Sequence, residues 1–231
     1  MRIAFLGTSA GWPLPRLGCQ CQICTSTDPK DKRTRSQVLI DEILLLDAGP
    51  ETYQHLLNFD PTKIRACVIT HKHHDHIAGL WDLEKIYNRK KPVEMIKSAG
   101  KLEKFKINSV KLTLFPVKHS KSIPTCGVLV EIQGKKIVYA PDFRQIPQNS
   151  QSLIKNADIL IIGGSSLTEK GRAAGHETIE EGIELGKKLK AKQVYFIHIG
   201  HSTGKHANLE AFVQKNGKNF HIAYDYEMVV I

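Results

Sequence analysis

Residues 66–76 set the terms for the whole chain. Ala66-Cys67-Val68-Ile69-Thr70 is apolar and β-branched, so it reads as a buried strand. It runs straight into His71-Lys72-His73-His74-Asp75-His76, at spacing His-x-His-x-Asp-His. Alternate residues of an extended segment share a face, so His71 and His73 can grip one ion. Residues 77–87 read as a helix, so the chain turns at Asp75 and His76, which can face a second ion. A polar loop before a helix is the plainer account, but it gives no reason for this set at this spacing. Neutral imidazole and carboxylate suit Zn²⁺, Mn²⁺ or Fe²⁺, and adjacent pairs of such ions hydrolyse phosphate esters.

The same placement recurs along the chain. Residues 110–114 alternate apolar and polar, as a half-buried strand does, and lead through Phe115-Pro116-Val117-Lys118 to His119. Residues 127–132 and 136–140 form a hairpin around Gln133-Gly134, and its second strand ends at Pro141-Asp142. The buried run 158–162 ends at Gly163-Gly164-Ser165-Ser166, and the run 193–197 ends at His198. Four apolar strands therefore stop at His71 onward, His119, Asp142 and His198. In layered α/β folds strand ends gather along one sheet edge, where sites form. A plain hydrophobic core gives no reason for the repetition.

Residues 8–36 form a long irregular stretch with Pro13, Pro15 and Pro29. A loop of this length inside a compact domain is functional or tied down. Cys19, Cys21 and Cys24, in Cys-x-Cys-x-x-Cys, supply the tie: three thiolates at this spacing hold a structural zinc, which wants a fourth ligand. A redox motif or idle thiols are the alternatives. Cys67 reads as an inert core thiol, and Cys126, at the start of a strand, is a weak candidate for the fourth position.

Elsewhere the pattern is structural. Residues 38–40 and 43–46 read as strands around the turn Asp41-Glu42. Asp47 follows them, either as a polar strand end or as a buried anchor behind ligand loops. Residues 51–59 read as a short helix with Leu56 and Leu57 inward and His55 not a ligand. A helix opens after His176 and runs to about residue 190, with acids first and Lys187, Lys188 and Lys190 last, which suits the helix dipole. Residues 207–214 read as helix, and 220–224 and 228–231 as closing strands. His74, His206 and His221 read as surface residues.

With 231 residues the chain is large enough to bury a core without disulfides, and one domain over 1–231 is expected. Five cysteines, three of them clustered, do not make a secreted disulfide framework, and the first apolar run is too short for a signal peptide. No apolar run approaches a membrane span, so no membrane partner and a cytoplasmic location are expected. The balance of 33 basic to 23 acidic residues, +10, fits an anionic substrate as well as a solubilising Lys-rich surface. Residues 87–111 carry Arg89, Lys90, Lys91, Lys97, Lys101, Lys104 and Lys106, with only Tyr87 and Phe105 between them. A solvated edge fits that composition better than a base-stacking platform.

The hexad and the ligands that follow it resemble the signature of the metallo-β-lactamase superfamily, in the same order. The resemblance implies a four-layer αββα sandwich. It assigns His71, His73 and His119 to one catalytic metal and Asp75, His76 and His198 to the other, with Asp142 bridging two Zn²⁺ or Mn²⁺ ions that share a hydroxide. The cysteine loop, with His198-Ile199-Gly200-His201, is similar to the phosphodiesterases of the carbon–phosphorus lyase pathway. That implies His201 as the fourth ligand of the structural zinc, and a homodimer. In those enzymes and in ribonuclease Z a histidine before the matching helix enters the active site, which implies a catalytic role for His176 beside Asp75. The expected activity is hydrolysis of a small anionic phosphodiester, a cyclic phosphate or nucleotide. A ribonuclease Z-like enzyme acting on tRNA precursors is the second expectation, so RNA stands as the second class of partner. The short interval from His119 to Asp142 leaves little room there for a long RNA-gripping arm. A metal store without turnover is the third expectation, and the complete ligand set argues against it.

Overall fold

The structure is a computed structural model describing residues 1–88, 91–170, 172 and 174–231. In chain order the elements are β1 (Arg2–Gly7), β2 (Gln37–Ile40), β3 (Leu44–Leu46), α1 (Thr52–Leu56), β4 (Ala66–Ile69), α2 (His74–Ile77), α3 (Leu80–Glu84), β5 (Glu94–Lys97), β6 (Glu103–Ile107) and β7 (Val110–Pro116). There follow β8 (Cys126–Ile132), β9 (Lys135–Ala140), α4 (Gln148–Ile154), β10 (Ile159–Gly163), α5 (Ile179–Leu189), β11 (Gln193–Ile197), α6 (His206–Gln214), β12 (Phe220–Ile222) and β13 (Glu227–Val230).

The strands make two sheets, β13-β1-β2-β3-β4-β5 and β12-β11-β10-β9-β8-β7-β6. Alternation within each strand decides the layering. In β1, Ile3 and Phe5 face the second sheet, where they meet Val128, Tyr139, Ile161 and Ile197 in the central core. Ala4 and Leu6 point the other way and pack with Leu56 of α1 and Leu83 of α3. The outer face of the second sheet, Val138, Leu160, Ile162, Val194 and Phe196, is covered by Ile154, Ile183, Leu189, Leu209 and Val213 of α4, α5 and α6. Helix, sheet, sheet, helix is the expected four-layer sandwich.

Parallel pairing sets the site. β9, β10 and β11 are parallel and in register, with Ala140 opposite Ile162 and Gly163 opposite Ile197. β4 lies parallel between β3 and β5 in the other sheet. The carboxyl ends of these strands meet at one edge of the sandwich.

Several local expectations change. The helix expected over 77–87 is two short helices, and it starts earlier, at His74, so Asp75 and His76 lie inside a helical turn. Its break is at Gly79, whose N–H donates to Ala48 O at 2.8 Å and where any Cβ would overlap Gly49 O and the Thr52 side chain. Leu56 is buried but Leu57 is exposed, because α1 ends at Leu56. His206 is buried, not on the surface: its Nδ1 accepts from the Arg33 guanidinium at 3.1 Å. In the Lys-rich segment, β5 and β6 are sheet edges, and Lys91, Lys97, Lys101, Lys104 and Lys106 are exposed. Lysine on an edge strand discourages pairing with another chain, which accounts for the solvated edge. Arg89 and Lys90 lie outside the described residues. Among the described residues no helix is long and apolar enough to cross a membrane.

Candidate metal centre

The turns after β4, β9 and β11 bring donors to one edge of the sandwich, where His73, Asp75, Asp142, His176 and His198 line a cavity of about 390 Å³. His71 and His73 leave β4 with their ring nitrogens 2.7 Å apart, and His119 Nε2 lies 3.2 Å from His73 Nδ1. The fourth member of this group is Asp142, whose Oδ2 is 3.3 Å from His71 Nε2. A second group shares the same aspartate. His76 Nε2 is 3.0 Å from Asp142 Oδ2 and 3.1 Å from Asp75 Oδ2, and His198 Nε2 is 3.0 Å from Asp142 Oδ1. Within each group the donor atoms lie within 4.8 Å of one another.

The surroundings aim these donors. Asp47, left open between two roles by the sequence, is fully buried beneath the site. Its carboxylate accepts from Thr70 N (2.8 Å), Thr70 Oγ1 (3.0 Å), Tyr139 OH (3.0 Å) and His76 Nδ1 (2.7 Å). Since His76 Nδ1 carries the hydrogen, Nε2 turns its lone pair to the cavity. His119 is fixed likewise, its Nδ1 donating to Gly175 O at 2.9 Å. Asp47 and His198 both adopt positive φ, 62° and 54°, a conformation that turns the chain sharply where the two strands end.

The electrostatics suit cations. Burial works against the Asp142 carboxylate, yet His198, His176 and His76 hold it well below the usual range. Asp75 is also buried and is likewise held down, by His198 and His76. In return Asp142 and Asp75 raise His198 to about 9 despite its burial, and Asp47 raises His76. Burial lowers His71 and His119, which stay neutral. The carboxylates thus favour positive charge at this spot, charge that a bound cation would supply to neutral imidazoles. Among the described residues, His76 Nε2, His198 Nε2 and Asp142 Oδ1 are buried with no hydrogen-bond partner of good geometry. Buried polar atoms are normally paired, so these three have the character of metal donors, and the residues fit divalent cations.

The cysteine loop closes on the same strand end. Cys19 Sγ and Cys21 Sγ lie 3.2 Å and 3.3 Å from His201 Nε2, and Cys24 completes a four-donor group. Cys67 and Cys126 lie buried within strands, outside this group. The Cys24 amide and other local hydrogen bonds bring the Cys21 thiol down to about 6, favouring the thiolate that binds metal. His176 sits at the cavity mouth. Its ring stacks on His198 at 5.3 Å and 17°, and its Nε2 is 3.5 Å from Asp142 Oδ1. The sequence reading did not single out Trp12 or Arg16, which also line the cavity, nor Tyr139, which is buried behind Asp47. An aromatic residue in a Gly/Pro-rich loop next to the cysteine motif was the available signal for Trp12.

Comparison with known proteins places this arrangement. A β-lactamase superfamily domain model matches residues 87–199, and a metallo-β-lactamase superfamily model matches residues 34–109. An octanoyltransferase of Porphyromonas gingivalis is 27% identical over 234 aligned residues, covering 89% of this chain. The chain spans 47% of the length of that relative. The crystal structure of a diphosphatase of the PhnP family superposes with a TM-score of 0.85 at 25% identity, covering 100% of this chain and 97% of the other. The short form of human tRNase Z superposes with a TM-score of 0.76 at 20% identity, covering 100% and 99%. Matched by superfamily models on both sides of the cavity and by whole-chain superposition, with its His and Asp donors gathered at one sheet edge, the chain belongs to the metallo-β-lactamase superfamily.

Proposed function

We propose that residues 1–231 act as one metal-dependent hydrolase domain that cleaves a small anionic phosphodiester, a cyclic phosphate or a nucleotide. The observation that carries this reading is Asp142, which belongs to both donor groups: its Oδ2 lies 3.3 Å from His71 Nε2 and 3.0 Å from His76 Nε2, and its Oδ1 lies 3.0 Å from His198 Nε2. His71, His73, His119 and Asp142 would hold one divalent ion, and Asp75, His76, His198 and Asp142 a second, zinc or manganese. Such ions, when bound, supply charge neutralisation at the phosphoryl oxygens and acidify water. The PhnP-family structure, a diphosphatase, supports phosphorus as the reacting centre.

The protein's own groups do the rest. Asp75 Oδ2, 3.6 Å from His198 Nε2 and lining the cavity, orients the attacking water, whose proton passes to solvent. His176 Nδ1 donates to Ala174 O at 2.9 Å, which leaves Nε2 as the atom that handles a proton. That Nε2 lies 3.5 Å from Asp142 Oδ1, at the mouth of the cavity, and from there it hands a proton to the leaving alkoxide. Water adds to phosphorus, the ester P–O bond breaks, and the products are a phosphomonoester and an alcohol. Cys19, Cys21, Cys24 and His201 would hold a structural zinc that ties the N-terminal loop beside the site.

The test is metal analysis joined to a substrate panel of an aryl phosphodiester, 2′,3′-cyclic nucleotides, a cyclic ribose phosphate, precursor tRNA and a thioester. Phosphodiester turnover by metal-loaded protein is expected; metal uptake with no ester hydrolysed would leave a metal-binding protein instead. The positive balance and the tRNase Z likeness favour one second reading, tRNA 3′ processing. Against it, β8 and β9 use up the interval from His119 to Asp142 as a plain hairpin. Salt-sensitive binding and trimming of precursor tRNA would decide for it.

A further inference from the structure

Two side chains of the cavity have no part in the proton transfers above. Trp12 is 65% exposed, and the Arg16 guanidinium carbon lies 5.3 Å from the centre of its ring. Both line the cavity that holds Asp75, Asp142 and His176. The loop that carries them is held closely at every step. Ala10 N donates to Ile199 O at 3.1 Å, Arg35 Nε donates to Gly11 O at 2.9 Å, and Ser9 Oγ donates to Trp12 O at 2.6 Å. Leu14 and Arg33 exchange both backbone hydrogen bonds, at 2.7 and 2.9 Å. Arg16 is tied to the cysteine group: its N–H donates to Cys24 Sγ at 3.3 Å, and its carbonyl accepts from Cys19 N at 3.1 Å. The loop also passes close to the reacting groups, since a Cβ on Gly11 would lie 3.4 Å from Asp75 Oδ2.

A large aromatic ring left open to water on a pinned backbone is poor packing but a good platform. It has already lost the freedom that binding would otherwise take from it. An indole face with a guanidinium against it attracts flat π-systems, and the positive charge favours an anionic molecule. The cavity volume falls within the range of small-molecule sites. One tryptophan provides for one base, not for a strand.

We propose that Trp12 and Arg16 form a subsite that takes the nucleobase of the substrate, so that the enzyme selects a mononucleotide-like phosphodiester over a bare sugar phosphate. This rests on the phosphodiesterase reading above and deepens it. The base stacks on Trp12, Arg16 holds the ring and adds charge, and the phosphodiester reaches Asp142 and His176.

The experiment compares two esters that share a reacting centre: adenosine 2′,3′-cyclic phosphate and the 2,3-cyclic phosphate of 1-O-methylribofuranose, which lacks the base. Base–aromatic stacking is worth about 1–3 kcal/mol, so Trp12→Ala should cut the preference in kcat/KM for the adenosine ester by about 5- to 150-fold, mainly through KM. An unchanged preference, or wild-type cleavage of the base-free ester alone, overturns the proposal. If the wild type cleaves neither ester, the phosphodiesterase reading is what fails. The subsite is then decided by tryptophan fluorescence of Trp81→Phe protein titrated with AMP and with ribose 5-phosphate. Quenching by AMP alone supports the subsite, and equal or absent quenching overturns it.

Discussion

Asp47 Oδ2 lies 2.7 Å from His76 Nδ1, and it is this buried contact that turns the other nitrogen of the ring into the cavity. The same carboxylate takes hydrogen bonds from Thr70, the residue just before His71, and from Tyr139 of the opposite sheet. One side chain therefore holds the ring of a donor, the start of the donor loop and a tyrosine of the opposite sheet. Asp47→Asn keeps the shape but removes the charge and the certainty that Nδ1 carries the hydrogen. Partners of this kind change metal affinity by about 10- to 100-fold. A loss of that size is expected in chelator competition, with the fold retained by circular dichroism. Unchanged affinity would show that the contact does not govern the site.

Asp142 is the residue both donor groups require, and it is nearly inaccessible. Asp142→Ala should remove turnover and lower bound metal, leaving five imidazoles without their shared carboxylate. His73→Ala, at the half-exposed side of the first group, should do the same with a smaller effect on folding. Metal content by elemental analysis, measured beside activity, checks both. Full turnover by either variant in its metal-depleted form would refute the assignment.

Much of this site was legible because the physics is local. A strand followed by His-x-His puts two rings on one face wherever it occurs, and the runs ending at His119, Asp142 and His198 are recognisable by hydrophobic pattern alone. What the pattern does not carry is distance across the fold. Asp47 stayed ambiguous because its meaning depends on Thr70, His76 and Tyr139, which meet it only after the sheets pack. The surface reading of His206 fails for the same reason: a short polar-flanked helix start gives no hint that Arg33 lies 3.1 Å away. The expected helix over 77–87 failed at Gly79, where a close approach to α1, invisible in periodicity, outweighs helical continuity. Trp12, an aromatic residue in a loop, carries no periodic signal.

The four-donor group of Cys19, Cys21, Cys24 and His201 joins the N-terminal loop to the turn after β11. Cys21→Ser should lose one equivalent of zinc while leaving the others. Losing a cross-link of this kind should lower the melting temperature by about 5 °C, corresponding to roughly 2 kcal/mol. Zinc analysis and differential scanning calorimetry test the two halves separately. A Cys21 variant with unchanged zinc content would remove the structural site from the account.

Glu177 follows His176 and faces Arg144 at 3.5 Å, while Glu181 takes the nearer contacts with Arg144 (3.3 Å) and Arg172. Burial, together with the neighbouring Glu181, pushes the Glu177 carboxyl up to about 8, against the pull of the two arginines. The sign follows from proton counting. Between about 4.5 and 8 the folded protein keeps a proton on Glu177 that the unfolded chain has released. The native state binds more protons there, so stability falls as pH rises across that window. Glu177→Gln stays neutral and hydrogen-bonding at every pH. In metal-depleted protein its melting temperature should therefore gain on the wild type progressively from pH 5 to pH 8, with the difference levelling off above. Thermal denaturation at unit pH steps reads this directly. A constant offset between the two proteins at all pH values would mean that Glu177 is ionised in the fold and paired with Arg144.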